Sequence, residues 1–145
     1  MTNDDAHRLS TSRSLPIALL RARESVMGSF RELLAEAGIS EQKWRVLRVL
    51  SEGGPVEQTK IAEQACLLLP SLTRILSAME KEGLISRERD SSDRRKTIVE
   101  LAEAGEALIR KHSEESAQIS ADIEARFGAD RLKTLLDMLE DLNKL

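Results

Sequence analysis

Leu72, Ile75, Leu76 and Met79 recur at i, i+3, i+4 and i+7 between Pro70 and Gly83. That spacing puts four apolar side chains on one stripe of a short helix. The proline suits a first turn and the glycine a stop, so the pattern predicts a helix over 71–82. A second short helix is predicted over 57–65, reached through the apolar link Cys66-Leu67-Leu68-Leu69. Two short helices on a tight turn form a helix-turn-helix. After Gly83 the period changes. Segments 84–89 and 96–101 carry β-branched residues on either side of the turn-rich tetrad Asp90-Ser91-Ser92-Asp93, which predicts a β-hairpin. Ile98 and Leu101 are expected to tie that hairpin to the core.

The flanks are helical. A long helix is predicted over 15–37, with Pro16 in its first turn, Gly38 as its stop, and Leu19, Val26, Met27, Phe30, Leu33 and Leu34 at helical spacing. Ser40 offers an N-cap, and Ile39 can staple onto Trp44, for a helix over 41–50 that turns Trp44, Leu47 and Leu50 inward. Gly53-Gly54-Pro55 ends it. A further long helix is predicted over 103–127, broken by Gly128. Asp130 is expected to cap a last helix striped with Leu132, Leu135, Leu136, Leu139 and Leu142. One small module does not cover two long helices and such a stripe, and two-fold dimers are the commonest oligomers. The expected fold class is mainly α with a small β-hairpin wing: a winged helix-turn-helix lobe over 39–102, dimerisation helices over 15–38 and 103–145, and a flexible tail over 1–14.

The sequence has 145 residues, 41% hydrophobic and 32% charged, as in a single globular domain. Aromatic residues are Phe30, Trp44 and Phe127 only, so the core is aliphatic. One cysteine allows no internal disulfide and suits a reducing compartment. No apolar run approaches the roughly 20 residues of a membrane span, and a polar N-terminus does not resemble a signal peptide. A cytoplasmic location is expected.

A net charge of -3 would not suggest an anionic partner, yet the charge is unevenly placed. Residues 40–99 hold 11 basic and nine acidic side chains, residues 100–145 six basic and 11 acidic. The stretch RERDSSDRRKTIVEL concentrates Arg87, Arg89, Arg94, Arg95 and Lys96 about the hairpin turn. On helix 71–82, the side opposite the apolar stripe carries Thr73, Arg74, Ser77 and Lys81. Short or hydroxylated side chains with an arginine suit a major groove. An arginine at a wing tip suits the negative potential of a minor groove, and Asp93 can anchor one of Arg94 and Arg95. An ordinary solvated face and a self-compensating charge cluster, with Glu88, Asp90 and Asp93 offsetting the arginines, are the plainer readings. Helix and wing together favour double-stranded DNA.

The segments ISEQKWRVLRVL (39–50), CLLLPSLTRILSAMEKEGLI (66–85) and SDRRKTIVELAEAG (92–105) resemble the signatures of the MarR family of transcription regulators, in order and spacing, over nearly the whole chain from Leu15. LPIALLRARE and QKWRVLRVL are similar to the branch that represses homoprotocatechuate degradation. The resemblance implies a homodimeric repressor on a pseudo-palindromic operator. It places Ser71, Thr73, Arg74 and Ser77 on the recognition helix, and Asp93 and Arg95 in the wing signature with Arg94 between them. It also implies a small aromatic-acid effector (phenolic or hydroxyphenylacetate-type) between the dimer helices and the DNA-binding lobe. Ala102, where the family usually has a capping Thr, and Leu69, where the branch has Arg, depart from the pattern.

Such an acid requires an arginine for its carboxylate and an apolar wall. Arg21, Arg23, Trp44 and His112 are the candidates. Trp44 as a core anchor, the arginines as ion-pair partners and His112 as an interface residue are the plainer readings. Cys66, in an apolar run, is expected to pack as a small hydrophobe. No triad, phosphate loop or metal cluster is visible, so neither enzyme activity nor any metal or cofactor is expected. Two rivals stand beside the aromatic-acid repressor: a MarR-type regulator of a drug-like phenolic or an oxidant, and a winged-helix module for protein–protein contact.

Overall fold

The computed structural model describes residues 10–145. Residues 1–9 of the expected tail, with His7, lie outside the described residues. Within the rest of that tail, Thr11–Arg13 form a 3-10 turn.

The chain forms two compact units. One comprises residues 10–32 and 118–145, the other Leu33–Ala117. The second unit takes in more than the expected 39–102 lobe, because Leu33 is buried in it and Leu108 and Ile109 pack against its core.

In the first unit α1 spans Leu15–Gly28 and α7 spans Ala129–Leu142. The helix predicted over 15–37 is broken. At Ser29 and Phe30 the backbone bonds tighten to i−3 carbonyls (Val26 O at 3.3 Å, Met27 O at 2.9 Å), and a new helix, α2, runs Arg31–Ala37. Gly28 gives α1 a weak last residue, which lets it end there. Asp130 does not cap α7. The cap position is Gly128, with φ 108, and Asp130 lies in the first turn, where its charge faces the positive end of the helix. No residue of α1 or α7 is buried, and Leu15, Leu19, Leu20, Val26, Leu136 and Met138 are exposed.

The second unit contains α3 (Glu41–Gly53), β1 (Val56–Glu57), α4 (Gln58–Gln64), α5 (Leu69–Lys81), β2 (Ile85–Arg89), β3 (Thr97–Leu101) and most of α6 (Glu103–Phe127). Ser40 caps α3, its hydroxyl accepting from Lys43 N at 3.2 Å. Val46, Leu47 and Leu50 from α3, Ile61 from α4, Leu72, Leu76 and Met79 from α5, and Val99 from β3 close one aliphatic core. Burying each such side chain stabilises the fold by roughly 1.5–3 kcal/mol.

The sheet has three strands in the order β1-β3-β2, all antiparallel. Strand β1, two residues after Gly-Gly-Pro, is too short to leave a periodic signal. Thr97, Val99 and Leu101 turn to the core side and Ile98 does not, because side chains alternate along a strand. Val99 and Leu101, not Ile98, tie the wing to the core. Ala102 N donates to Leu84 O (3.0 Å), which fixes the start of α6 without a capping side chain. Cys66 is exposed, contrary to the sequence expectation. It adopts φ 53, and this left-handed turn buries Ala65 before it and packs Leu67 after it.

Candidate nucleic-acid interface

Helices α4 and α5 are tied by Gln58, whose Nε2 donates to Thr73 Oγ1 (2.8 Å); Thr73 Oγ1 donates to Leu69 O (3.0 Å). Gln58 therefore holds the angle at which α5 leaves the turn. On α5, Thr73, Arg74 and Lys81 are exposed, and Ser71 and Ser77 are half-buried. Ser77 does not point freely outward, since its Oγ accepts from Arg87 Nη2 (3.3 Å).

Arg87 reaches from β2 across to α5. Besides Ser77 it grips Glu80, Nη2 to Oε1 at 3.2 Å and Nε to Oε2 at 3.4 Å. Its hydrogen bond holds the Glu80 carboxyl below the usual carboxylate range. Lys43 of α3 makes a matching ion pair with Glu82, just past the end of α5. The recognition helix is thus braced from the wing and from α3.

At the wing tip Asp90 Oδ1 accepts from Ser92 N (3.1 Å), and Lys96 N donates to Asp93 O (3.0 Å), which closes the turn. Asp93 Oδ1 accepts from Arg95 N (3.1 Å) and Nε (3.2 Å), and Oδ2 from Nη2 (3.4 Å). The Arg95 side chain remains 92% exposed. The bidentate grip lowers the Asp93 pKa, the side-chain bond from Arg95 being the main cause. Arg94 is exposed, and its carbonyl accepts from Arg89 Nη1 (3.3 Å), so Arg89 stiffens the loop. Of the five basic residues around the turn, Arg87 is half-buried and turned inward, while Arg89, Arg94, Arg95 and Lys96 are exposed, Arg89 bonding the loop backbone. A shallow depression of about 150 Å³ lies between Arg95, Lys96 and Thr97 of the wing, Gln58 and Thr59 of α4, and Leu69 of α5.

Trp44 (8% exposed) and His112 (5%) meet edge-on, with ring centroids 6.5 Å apart at 78°. Arg45 has its Nε buried without a hydrogen-bond partner. Arg21 and Arg23 are exposed on α1, in the other unit, Arg23 being 3.9 Å from Glu24. The sequence reading missed Gln58, Arg45 and the inward turn of Arg87. Their neighbours in sequence (Thr59, Trp44, Arg89) gave no sign of which way they face.

A helix-turn-helix followed by a wing with an exposed, carboxylate-held arginine defines a winged-helix DNA-binding protein. Residues 39–97 match the MarR family. The homoprotocatechuate degradative operon repressor of Escherichia coli is 38% identical over 128 residues, covering 88% of this chain and 86% of the relative. NadR, solved in complex with 4-hydroxyphenylacetate, superposes with a TM-score of 0.82 at 38% identity, covering 95% of this chain and 98% of that one. The transcriptional repressor CouR, bound to a 23-mer DNA duplex, gives 0.79 at 29% identity, covering 94% and 99%. The chain belongs to the MarR family of transcriptional regulators. No helix among the described residues is long and apolar enough to cross a membrane.

Proposed function

We propose that two copies of this chain bind a pseudo-palindromic operator, with α5 in the major groove of each half-site and the wing in the flanking minor groove. In this reading Arg95, with Arg94 beside it, enters the minor groove, and Ser71, Thr73, Arg74 and Lys81 line the major-groove face. The observation that carries it is the division of labour at the wing: Asp93 aims an almost fully exposed Arg95, while Arg87 is spent on holding the wing to α5. A solvated hairpin needs neither arrangement. Half-sites are expected about 34 Å apart, one turn of duplex. The dimer is built from α1, α6 and α7, of which α1 and α7 leave large apolar residues exposed. The protein works in the cytoplasm, beside its operator, and catalyses no reaction.

The repressor is released by a small aromatic acid. The Trp44–His112 corner offers an aromatic wall, and Arg45 a buried guanidinium nitrogen without a partner. Such a nitrogen is costly to leave unpaired and gains from a carboxylate. NadR, at 38% identity, binds a ligand of this class. Arg21 and Arg23 of α1 are further candidates for the acid.

Fluorescence anisotropy on a duplex selected from a random pool tests the DNA reading. Affinity should fall steeply with log salt, and Arg74→Ala and Arg95→Ala should each weaken binding. If both leave affinity intact, the assignment of these residues is wrong, and a salt-insensitive or absent interaction would favour a protein-binding module instead. A thermal-shift series with 4-hydroxyphenylacetate and related acids tests the effector. No shift with any of them sinks that part alone.

A further inference from the structure

We propose a divalent transition-metal site at Glu36, His112 and Glu115, which ties α2 to α6. One ligating atom from each of the three residues lies within 4.8 Å of the others. His112 and Glu115 are three apart on α6 and share a face, and Glu36 comes from α2.

The histidine is what separates this cluster from an ordinary exposed acidic patch. It is 5% exposed, yet neither ring nitrogen makes a hydrogen bond among the described residues. Its Nε2 is buried without a partner. Its Nδ1 lies 3.9 Å from Glu115 Oε2, too long for a hydrogen bond. With the proton on Nε2, the Nδ1 lone pair faces a carboxylate. In that tautomer a cation between the lone pair and the carboxylate relieves their repulsion.

The spacing suits an ion. Two ligands each about 2.0–2.2 Å from one zinc stand at most roughly 4.4 Å apart. The His112–Glu115 separation is already inside that limit, and Glu36 and Glu115 are exposed side chains free to close the rest. The edge contact with Trp44 fixes the imidazole plane, so the least mobile ligand is the one already in place. One imidazole and two carboxylates form a borderline-to-hard donor set, which fits Zn²⁺ or Mn²⁺ better than Cu⁺. Three protein ligands leave a coordination position for water, which suits an exchangeable ion.

Isothermal titration of the chelator-treated protein with zinc chloride tests the site, beside Glu36→Gln and Glu115→Gln. Both positions are exposed, so these variants should fold even where a histidine substitution does not. The wild type should take up one zinc per chain, and each variant should bind about tenfold more weakly or worse. Cobalt should give a tetrahedral visible spectrum that both variants lose. Three results overturn the proposal: no saturable uptake by the wild type, uptake that both variants leave unchanged, or an NMR titration in which His112 takes only a proton and ignores zinc.

Discussion

Arg87 on β2 holds Glu80 on α5 through two hydrogen bonds, Nη2–Oε1 at 3.2 Å and Nε–Oε2 at 3.4 Å, and holds Ser77 with the same Nη2. Wing and recognition helix are therefore one mechanical piece. Because Arg87 is committed inward, its loss should weaken operator binding without removing a phosphate contact. Arg87→Ala is expected to lower affinity roughly tenfold, about 1.4 kcal/mol, while the slope of log affinity against log salt stays unchanged. Arg74→Ala should lower the slope by about 1 if Arg74 neutralises a phosphate. Anisotropy at four or more salt concentrations separates the two, and a reduced slope for Arg87→Ala would make it a DNA contact instead of a strut.

The grip of Asp93 on Arg95 has a pH signature. The Asp93 carboxyl is held below its ordinary 3.8, and the Glu80 carboxyl below 4.5, each chiefly by its arginine's hydrogen bond. A lowered folded-state pKa means that the ionised group stabilises the fold. That contribution is complete above the ordinary pKa and is lost as pH falls through the lowered one. The wing should therefore be indifferent to pH between 6 and 8 and loosen below about pH 4. Carboxyl NMR titrations check this: Arg95→Ala should return Asp93 toward 3.8, and Arg87→Ala should return Glu80 toward 4.5. Unmoved midpoints would mean that these pairs exist only transiently in solution.

The recognition helix was legible because its signal is local. Four apolar residues at helical spacing, bounded by Pro70 and Gly83, leave little choice, and Leu72, Leu76 and Met79 are fully buried as the spacing requires. The wing was legible in the same way from its turn residues. What escaped depends on contacts distant in sequence. Nothing in RER says that Arg87 turns back to Ser77 and Glu80 while Arg95, in RRK, points out. Strand β1 exists only because Val56 pairs with Val99. Cys66 looked buried because its neighbours are apolar, but one left-handed residue reverses which side of the chain faces the core. The Glu36–His112–Glu115 cluster joins residues 76 positions apart in the sequence, and no spacing rule reaches that far.

Gly105 lets α6 pass close to the Leu84 backbone, just before β2. A Cβ there would sit 2.2 Å from Leu84 O and 3.2 Å from Leu101 Cδ2, and the first of these is backbone that cannot swing aside. Leu84 O also accepts the bond from Ala102 N that starts α6. Gly105→Ala should destabilise the protein by about 1–3 kcal/mol through this overlap. That corresponds to a fall in melting temperature of roughly 4 °C per kcal/mol. Gly28→Ala is the counterpart: its Cβ meets nothing within 4 Å, and the change favours the helix. Calorimetry should show the two moving in opposite directions. A neutral Gly105→Ala would mean that α6 can slide along the sheet.

Leu136 on α7 is 56% exposed in a single chain, in line with the half-buried Leu132, Leu135, Leu139 and Leu142. An apolar stripe on a terminal helix that buries none of its residues calls for a second copy. Leu136→Glu puts a charge into that seam. Sedimentation should then find a monomer at micromolar concentration, with helix content retained by circular dichroism. Operator affinity should drop about a hundredfold or more, since two linked half-site contacts become independent ones. Thr134→Glu, placed on the opposite side of α7 by the helical step, should leave the dimer intact. If Leu136→Glu remains dimeric and binds the operator normally, the interface does not use this stripe, and the dimer must be built from α1 and α6 without it.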